Sequence, residues 1–334
     1  MSDKKIPLSL LDLAPIIQGS TAKEAFAHSL DIAQLAEKLG YHRYWLAEHH
    51  NMTGIASAAT SVLIGYLAAN THNLRLGSGG VMLPNHSPLV IAEQFGTLNT
   101  LYPERIDLGI GRAPGSDQRT MQALRRHMNT DIDNFPQDVA QIINWFDAIN
   151  PDPAVRPVPG FGEKIPVWLL GSSLYSARLA AQMGLPFAFA SHFAPDLLLQ
   201  ALEVYRANFQ PSQRLSKPYA MVCINIIAAD TQREAEFLFT SMQQAFVMLR
   251  RGQPSQLPAP VESMENIWSP AEKFGVQQAL GMSLVGDKTK VRHGLDTILR
   301  QTQADEIMVN GQIFDHQARL YSFELAMQVM NEIM

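Results

Sequence analysis

The chain reads as a closed (β/α)8 barrel on three grounds. Short apolar runs of strand length alternate with stretches of helical periodicity almost to the end of the 334 residues. Eight such strand–helix units follow one another. Most of the runs are continuously apolar, as strands buried on both faces of a parallel sheet are. An open, doubly wound sheet is the competing architecture. The whole chain, 1–334, is expected to form a single domain with an insertion between the seventh and eighth units.

"IPLSLLD" is the first strand, and Thr21 with Glu24 three residues on forms a capping box for the first helix. Ile32, Leu35, Ala36 and Leu39 share a face of that helix, and Gly40 ends it. "HRYWLAE" precedes a helix with Ala59, Val62, Leu63 and Tyr66 at helical spacing. "LRLGSGGVML" leads to Ser87-Pro88, an N-cap followed by proline at the first helical position, and then to Ile91, Phe95 and Leu98. "RIDLGIG" is the fourth strand. A long charged excursion follows it, and then a helix with Ile142, Ile143, Trp145 and Phe146. A proline-rich connector, "NPDPAVRPVPGFGEK", leads to "IPVWLLG" and a helix from Ser173 to Met183. "PFAFAS" precedes a helix with Leu198, Ala201, Leu202 and Tyr205. "YAMVCINIIA" precedes one with Ala235, Leu238, Phe239 and Met242. Residues 252–282 are read as an inserted loop or lid with a short helix opening at Ser269-Pro270, Glu272 completing its capping box. "DEIMVNG" and a helix with Phe323, Ala326, Met327 and Met330 close the chain.

Composition narrows the function. With 46% hydrophobic residues, a net charge of −5 and no Lys/Arg tract, neither nucleic acid nor a membrane surface is an expected partner. The start lacks the apolar core of a signal peptide, and no segment has the length of a membrane span. A single cysteine, Cys223, excludes a disulfide framework within the chain and a thiolate zinc site. A cytoplasmic location is the expectation.

In a barrel of this kind the strands' C-terminal ends carry the chemistry. Those ends read Asp12, Glu48-His49-His50, Ser78-Gly79-Gly80, Gly111-Arg112, Gly171-Ser172-Ser173, Ser191-His192, Asn225 and Asn310-Gly311, a set of small polar and ionisable groups that suggests a ligand crevice. For "EHH" three readings stand: metal ligands, structural groups, or proton transfer and hydrogen bonding to a ligand. Adjacent strand residues point to opposite faces, so His49 and His50 cannot both aim into one site unless the strand has already turned. Metal would need further ligands, such as His86 or His192, and no metal site is expected. The glycines of "GSGG" suit either a tight turn or a flat ligand pressed on the backbone. "GIGRAPG" has the wrong spacing for a dinucleotide fingerprint, and Arg112 reads better as a fixed cation at the barrel mouth. Gly171, Ser172 and Ser173 open a helix, which is either a plain serine cap or a phosphate cradle.

These residues resemble the bacterial luciferase-like flavin-dependent monooxygenases, close to an uncharacterised bacterial branch. The resemblance is carried by "YWLAEHHNM", "LRLGSGGVMLPNHSPLVIAEQFGTLNTLYPERIDLGIGRAPGSD", "IPVWLLGSSLYSARLAAQMGLPFAFA" and "LVGDKTKVRHGL…ADEIMVNG", in family order over nearly the full chain. It implies a TIM barrel that binds reduced FMN at the strand tips and activates oxygen as a flavin hydroperoxide. It further implies that His49 is the active-site histidine, oriented by Glu48. Gly79 and Gly80 match the position of a non-prolyl cis peptide against the flavin ring. Arg112 would contact the flavin phosphate, together with Gly171, Ser172, Ser173 and Ser176. Gly111 and Ser172 depart from the luciferase itself, which has a cysteine and a glutamate there, so light emission and long-chain aldehyde oxidation are not carried over. The implied partners are a small organic substrate with O2, a separate NAD(P)H-dependent flavin reductase, and a second copy of the chain in a homodimer. A deazaflavin-dependent dehydrogenase and a non-catalytic flavin-binding protein are the alternatives on the same barrel.

Overall fold

The computed structural model describes residues 6–113, 118–124 and 134–333. Part of the charged excursion after the fourth predicted strand therefore lies outside the described residues, as does Pro114 of "GIGRAPG". The strands are β1 (Leu8–Asp12), β2 (Arg43–Leu46), β3 (Arg75–Ser78), β4 (Val81–Met82), β5 (Ile106–Gly111), β6 (Val167–Gly171), β7 (Phe187–Phe189), β8 (Ala220–Ala228), β9 (Ser283–Gly286) and β10 (Glu306–Asn310). The helices are α1 (Ala22–Leu39), α2 (Thr60–Ala69), α3 (Pro88–Leu101), α4 (Gln118–Leu124), α5 (Phe135–Phe146) and α6 (Leu174–Met183), followed by α7 (Leu198–Ala207), α8 (Gln232–Arg250), α9 (Pro270–Ala279), α10 (Lys288–Thr302) and α11 (His316–Ile333).

Eight parallel strands close into a ring in the order β1-β2-β3-β5-β6-β7-β8-β10, with β10 pairing back onto β1. Each of the eight coincides with a predicted strand. β4 continues the path of β3 beyond Gly79-Gly80 and pairs with β5. β9 was not foreseen: β8 runs nine residues, long enough for Met221–Asn225 to pair with β10 while Asn225–Ala228 pair with β9.

Side-chain alternation divides the barrel. Leu8, Leu10, Tyr44, Leu46, Leu108, Ile110, Val167, Leu169, Val222, Ile224, Ile307 and Val309 face outward and pack with the helices as the main core. Leu11, Trp45, Trp168, Ala188, Met221, Cys223 and Met308 form a separate cluster within the ring. At the N-terminal end of the strands the interior is charged. Arg43 gives Nε and Nη2 to Glu306 at 2.7 and 3.1 Å and Nη1 to Asp107 at 2.6 Å, while Arg75 reaches Asp107 at 2.6 Å. Burial by itself would raise the Asp107 carboxyl, but the two arginines overcome this and hold it below the ordinary carboxylate value. The network plugs the bottom of the barrel and leaves the opposite end for ligands.

The capping boxes at Thr21/Glu24 and Ser269/Glu272 form, and Gly40 ends α1 in the left-handed region at φ 83°. The expected face of α2 is corrected. Ile64, Leu67 and Ala68 are buried, whereas Val62 is 69% and Tyr66 42% exposed. The sequence of α2 is apolar almost all round, so periodicity could not choose its inner face.

Candidate functional site

The C-terminal strand ends surround a cavity of about 660 Å³, within the range of small-molecule and cofactor sites. Leu11, Trp45, Ala188, Cys223 and Met308 from the barrel interior contribute to its lining. His49, Gly79, Gly80, Arg112, Gly171, Ser172, Ser173 and Ser176 all border it, so residues spread over some 130 positions are brought together. Glu48 does not border it.

Glu48 requires a correction to the expected acid–histidine pair. Inward orientation continues past the end of β2, with Trp45, Ala47 and His49 at the cavity. Glu48 and His50, two residues apart, point together to the other side. The Glu48 Oε1 atom lies 2.9 Å from His50 Nε2 and 2.8 Å from His86 Nε2, and Oε2 accepts the Met82 N–H at 3.3 Å. Burial pushes this carboxyl up, but the hydrogen bonds from His50 and His86 outweigh it and the net shift is downward. The carboxylate thus ties the β2 tip to the segment after β4, and its partners are His50 and His86 instead of His49. Glu48, His50 and His86 present ligand-type atoms within 4.8 Å of one another. Their mutual hydrogen bonds account for that convergence.

Two further polar groups at the cavity were visible in the sequence only as strand tips. The Nδ1 of His192 and the Oδ1 of Asn310 are buried without a hydrogen-bond partner among the described residues. Buried polar atoms are nearly always paired, so both are open to a ligand. Asn310 is fixed by donating to Asn225 Oδ1 at 2.8 Å, and Asn225 in turn donates to the His192 carbonyl at 2.7 Å. Desolvation, reinforced by the neighbouring His49, pushes His192 down to about 3. Its imidazole is neutral at physiological pH.

The serine-rich side has the character of an anion site. Ser173 is the N-cap of α6 and accepts the Ser176 N–H at 3.4 Å. The remaining first-turn N–H groups have no helical carbonyl to bond. Arg112 lies with its guanidinium carbon 4.1 Å from the centre of the Tyr175 ring and has no carboxylate partner among the described residues. Cation–π contact therefore keeps a positive charge beside the helix start without neutralising it.

Gly79-Gly80 is a cis peptide, as the resemblance implies. A Cβ on Gly80 would sit 2.7 Å from the Gly109 carbonyl oxygen, so the approach of neighbouring backbone already requires glycine there. Other strand tips serve the scaffold. Asp12 accepts from Ser29, Tyr44 and Arg319, Ser78 donates to the Gly109 carbonyl, and Ser191 donates to the Cys223 carbonyl. Lining residues from α8 and from 252–282 (Phe246, Leu249, Pro254 and Leu257 among them) were missed, because their apolar character is the same as that of core residues. The segment is anchored across the barrel mouth: the Leu257 N–H donates to the Ile16 carbonyl at 2.9 Å, and Thr53 Oγ1 donates to the Pro254 carbonyl at 3.2 Å.

Comparison with known proteins agrees with the fold. The family described as "Luciferase-like monooxygenase" matches residues 8–306. A protein of Escherichia coli (strain K12) named luciferase-like monooxygenase is 79% identical over 334 residues, covering 100% of each chain. The N-acetyl-S-alkylcysteine monooxygenase of Bacillus subtilis (strain 168) is 33% identical over 329 residues, covering 96% of this chain and 97% of its own. The crystal structure of apo-MsnO8 superposes with a TM-score of 0.87 at 31% identity, covering 98% of this chain and 99% of that one. No helix among the described residues is long and apolar enough to cross a membrane. The match over most of the chain and the closed barrel beneath it agree, and the chain belongs to the luciferase-like monooxygenase family.

Proposed function

We propose that this protein is the oxygenase component of a two-component flavin monooxygenase, using reduced FMN and O2 on a small organic substrate. The observation that carries this reading is that one cavity joins the Arg112 guanidinium and the start of α6 to the glycine segment 79–80 and the imidazoles of His49 and His192. The residues fit FMN in kind: a phosphate can take Arg112, which has no carboxylate partner among the described residues, and the first-turn N–H groups of α6, and His192 Nδ1 and Asn310 Oδ1, without partners among the described residues, await polar ones. When bound, reduced FMN supplies the electron pair with which O2 gives one oxygen atom to the substrate and the other to water.

The protein's own groups hold and shield. Arg112, Ser172, Ser173 and Ser176 would grip the phosphate, with Gly171 setting the turn. Gly79 and Gly80 offer a side-chain-free surface. His49 would hold or transfer a proton through its imidazole. Glu48 acts one step removed, fixing the β2 tip through His50 and His86. His192, neutral, can accept or donate one hydrogen bond at Nδ1. The apolar interior and the segment 252–282, acting as a lid, would exclude bulk water during the reaction. A separate NAD(P)H-dependent reductase would supply the reduced flavin. An alkyl sulfide bearing a carboxylate, the class named for the Bacillus relative, is the first substrate to test. A homodimer is also proposed, supported by Val62 and Tyr66 of α2 and Val90 and Leu101 of α3, which remain exposed.

The test is titration of the purified protein with FMN and with a deazaflavin cofactor, then oxygen-dependent product formation with a flavin reductase and NADH. Micromolar or tighter FMN binding and oxygenated product are expected. Preference for deazaflavin with oxygen-independent turnover would replace the reading with a dehydrogenase. FMN binding without chemistry on any substrate would favour a binding protein, and binding of neither would end the proposal. His49→Ala is expected to lower kcat by about 10²–10⁴-fold. An unchanged kcat would remove His49 from the chemistry.

A further inference from the structure

One face of α8 makes a wall of the cavity. Met242, Ala245, Phe246 and Leu249 border the cavity at helical spacing, and Arg250 ends the row one turn beyond Phe246. From Met242 to Arg250 the helix rises about 12 Å at about 1.5 Å per residue. The stripe is therefore an apolar strip of ligand length with a cation at its outer end.

The two arginines at the end of α8 are used differently. Arg251 is held by Glu272 of α9, with Nε 2.7 Å and Nη2 3.1 Å from its two carboxylate oxygens. Arg250 forms no ion pair with any described residue, although it borders the cavity. Its guanidinium is nevertheless located, because it lies against the backbone of Gly275 in α9. A Cβ built there would come within 2.1 Å of Arg250 Nη1. Glycine makes room for the guanidinium, while the carboxylate that could have neutralised it is committed to Arg251. Arg112, a second cation at the cavity with no ion pair among the described residues, stands at the end of β5, three strands around the ring from β8, which leads into α8.

We infer that Arg250 is the anion-binding end of the substrate subsite, and that the substrate is an organic carboxylate whose apolar part lies along Met242, Phe246 and Leu249. A guanidinium pairs with a carboxylate in a planar, two-bond geometry, which gives orientation as well as affinity. The inference rests on the proposed monooxygenase reading for what happens to the substrate, but not for its binding.

Direct binding and turnover separate the two. The probes are N-acetyl-S-benzylcysteine and its primary amide, which differ only at the carboxyl group, charged in one and a neutral group of similar size in the other. Affinities are measured by calorimetry on the FMN-loaded protein, and sulfoxide formation by mass spectrometry with a flavin reductase. The acid is expected to bind about tenfold or more tightly than the amide, the scale of one charge-assisted hydrogen bond. Arg250→Gln should reduce that preference to within about twofold and leave FMN affinity unchanged. Gly275→Ala, which crowds the guanidinium without removing it, should lower the preference in the same direction, and thermal unfolding confirms that each variant is folded. Equal binding of acid and amide by the native protein would overturn the inference, as would an undiminished preference in folded Arg250→Gln. A loss of FMN affinity in that variant would assign Arg250 to the cofactor and overturn it too. Selective binding of the acid with no sulfoxide leaves the subsite standing and counts against the oxygenation of sulfides.

Discussion

Glu48 Oε1 lies 2.8 Å from His86 Nε2, joining residues 38 positions apart behind the wall that His49 presents to the cavity. The Glu48 carboxyl is held below its ordinary value of 4.5 despite burial, so its interactions contribute stability that is fully present above that value. This contribution is lost as pH falls through the lower, folded-state value. Glu48→Gln should cost about 1–3 kcal/mol at neutral pH and remove that part of the acid sensitivity. Urea midpoints between pH 3 and 7 check this. Parallel acid limbs for the two proteins would show that Glu48 does not contribute.

The charged plug at the other end of the barrel should be far less tolerant. Arg43→Met leaves Asp107 and Glu306 buried with their shared cation gone, for which a loss of about 3–5 kcal/mol is expected. Equilibrium urea unfolding measures it. A loss below about 1 kcal/mol would mean that Arg75 and Tyr219 suffice to hold the two carboxylates.

Arg112 carries the phosphate assignment. Arg112→Ala is expected to weaken FMN by about 10–100-fold, equivalent to a charged hydrogen bond or two, and riboflavin by no more than about threefold. Fluorescence titration of both flavins makes the comparison. Equal losses would place the phosphate elsewhere.

Cys223 borders the cavity, yet burial raises its thiol far above the ordinary value. The nucleophile of alkylation is the thiolate. Iodoacetamide at pH 8 should leave native protein unlabelled over an hour and modify it in urea, as intact mass will show. Rapid native labelling would point to a thiol more exposed than the structure has it.

Much of the barrel was legible in the sequence. The eight strands coincide with apolar runs, because a strand buried on both faces must be apolar throughout. The glycines of segment 79–80 and the serine that opens α6 were legible as residue types, because a strand tip closely approached by other backbone needs glycine and a helix start favours a serine cap. The inner face of α2 was not legible, since a helix apolar on all sides leaves the choice to its neighbours. Neither was β9, whose four residues, Ser283–Gly286, pair only because β8 extends past the ring.

The stretch "EHH" divides the two kinds of information most clearly. Alternation, a property of sequence position, separates His49 from His50, and the structure keeps them apart. The same alternation puts Glu48 with His50, yet the pairing with His86 depends on how the segment after β4 crosses the tip of β2. The ring of strands and the chemical types at their tips follow from the order of residues, because period and propensity are local. Which tips face one cavity, which brace each other behind it, and which of two adjacent arginines is left unpaired were decided by the tertiary structure alone. Those outcomes depend on distances between segments that are far apart along the chain.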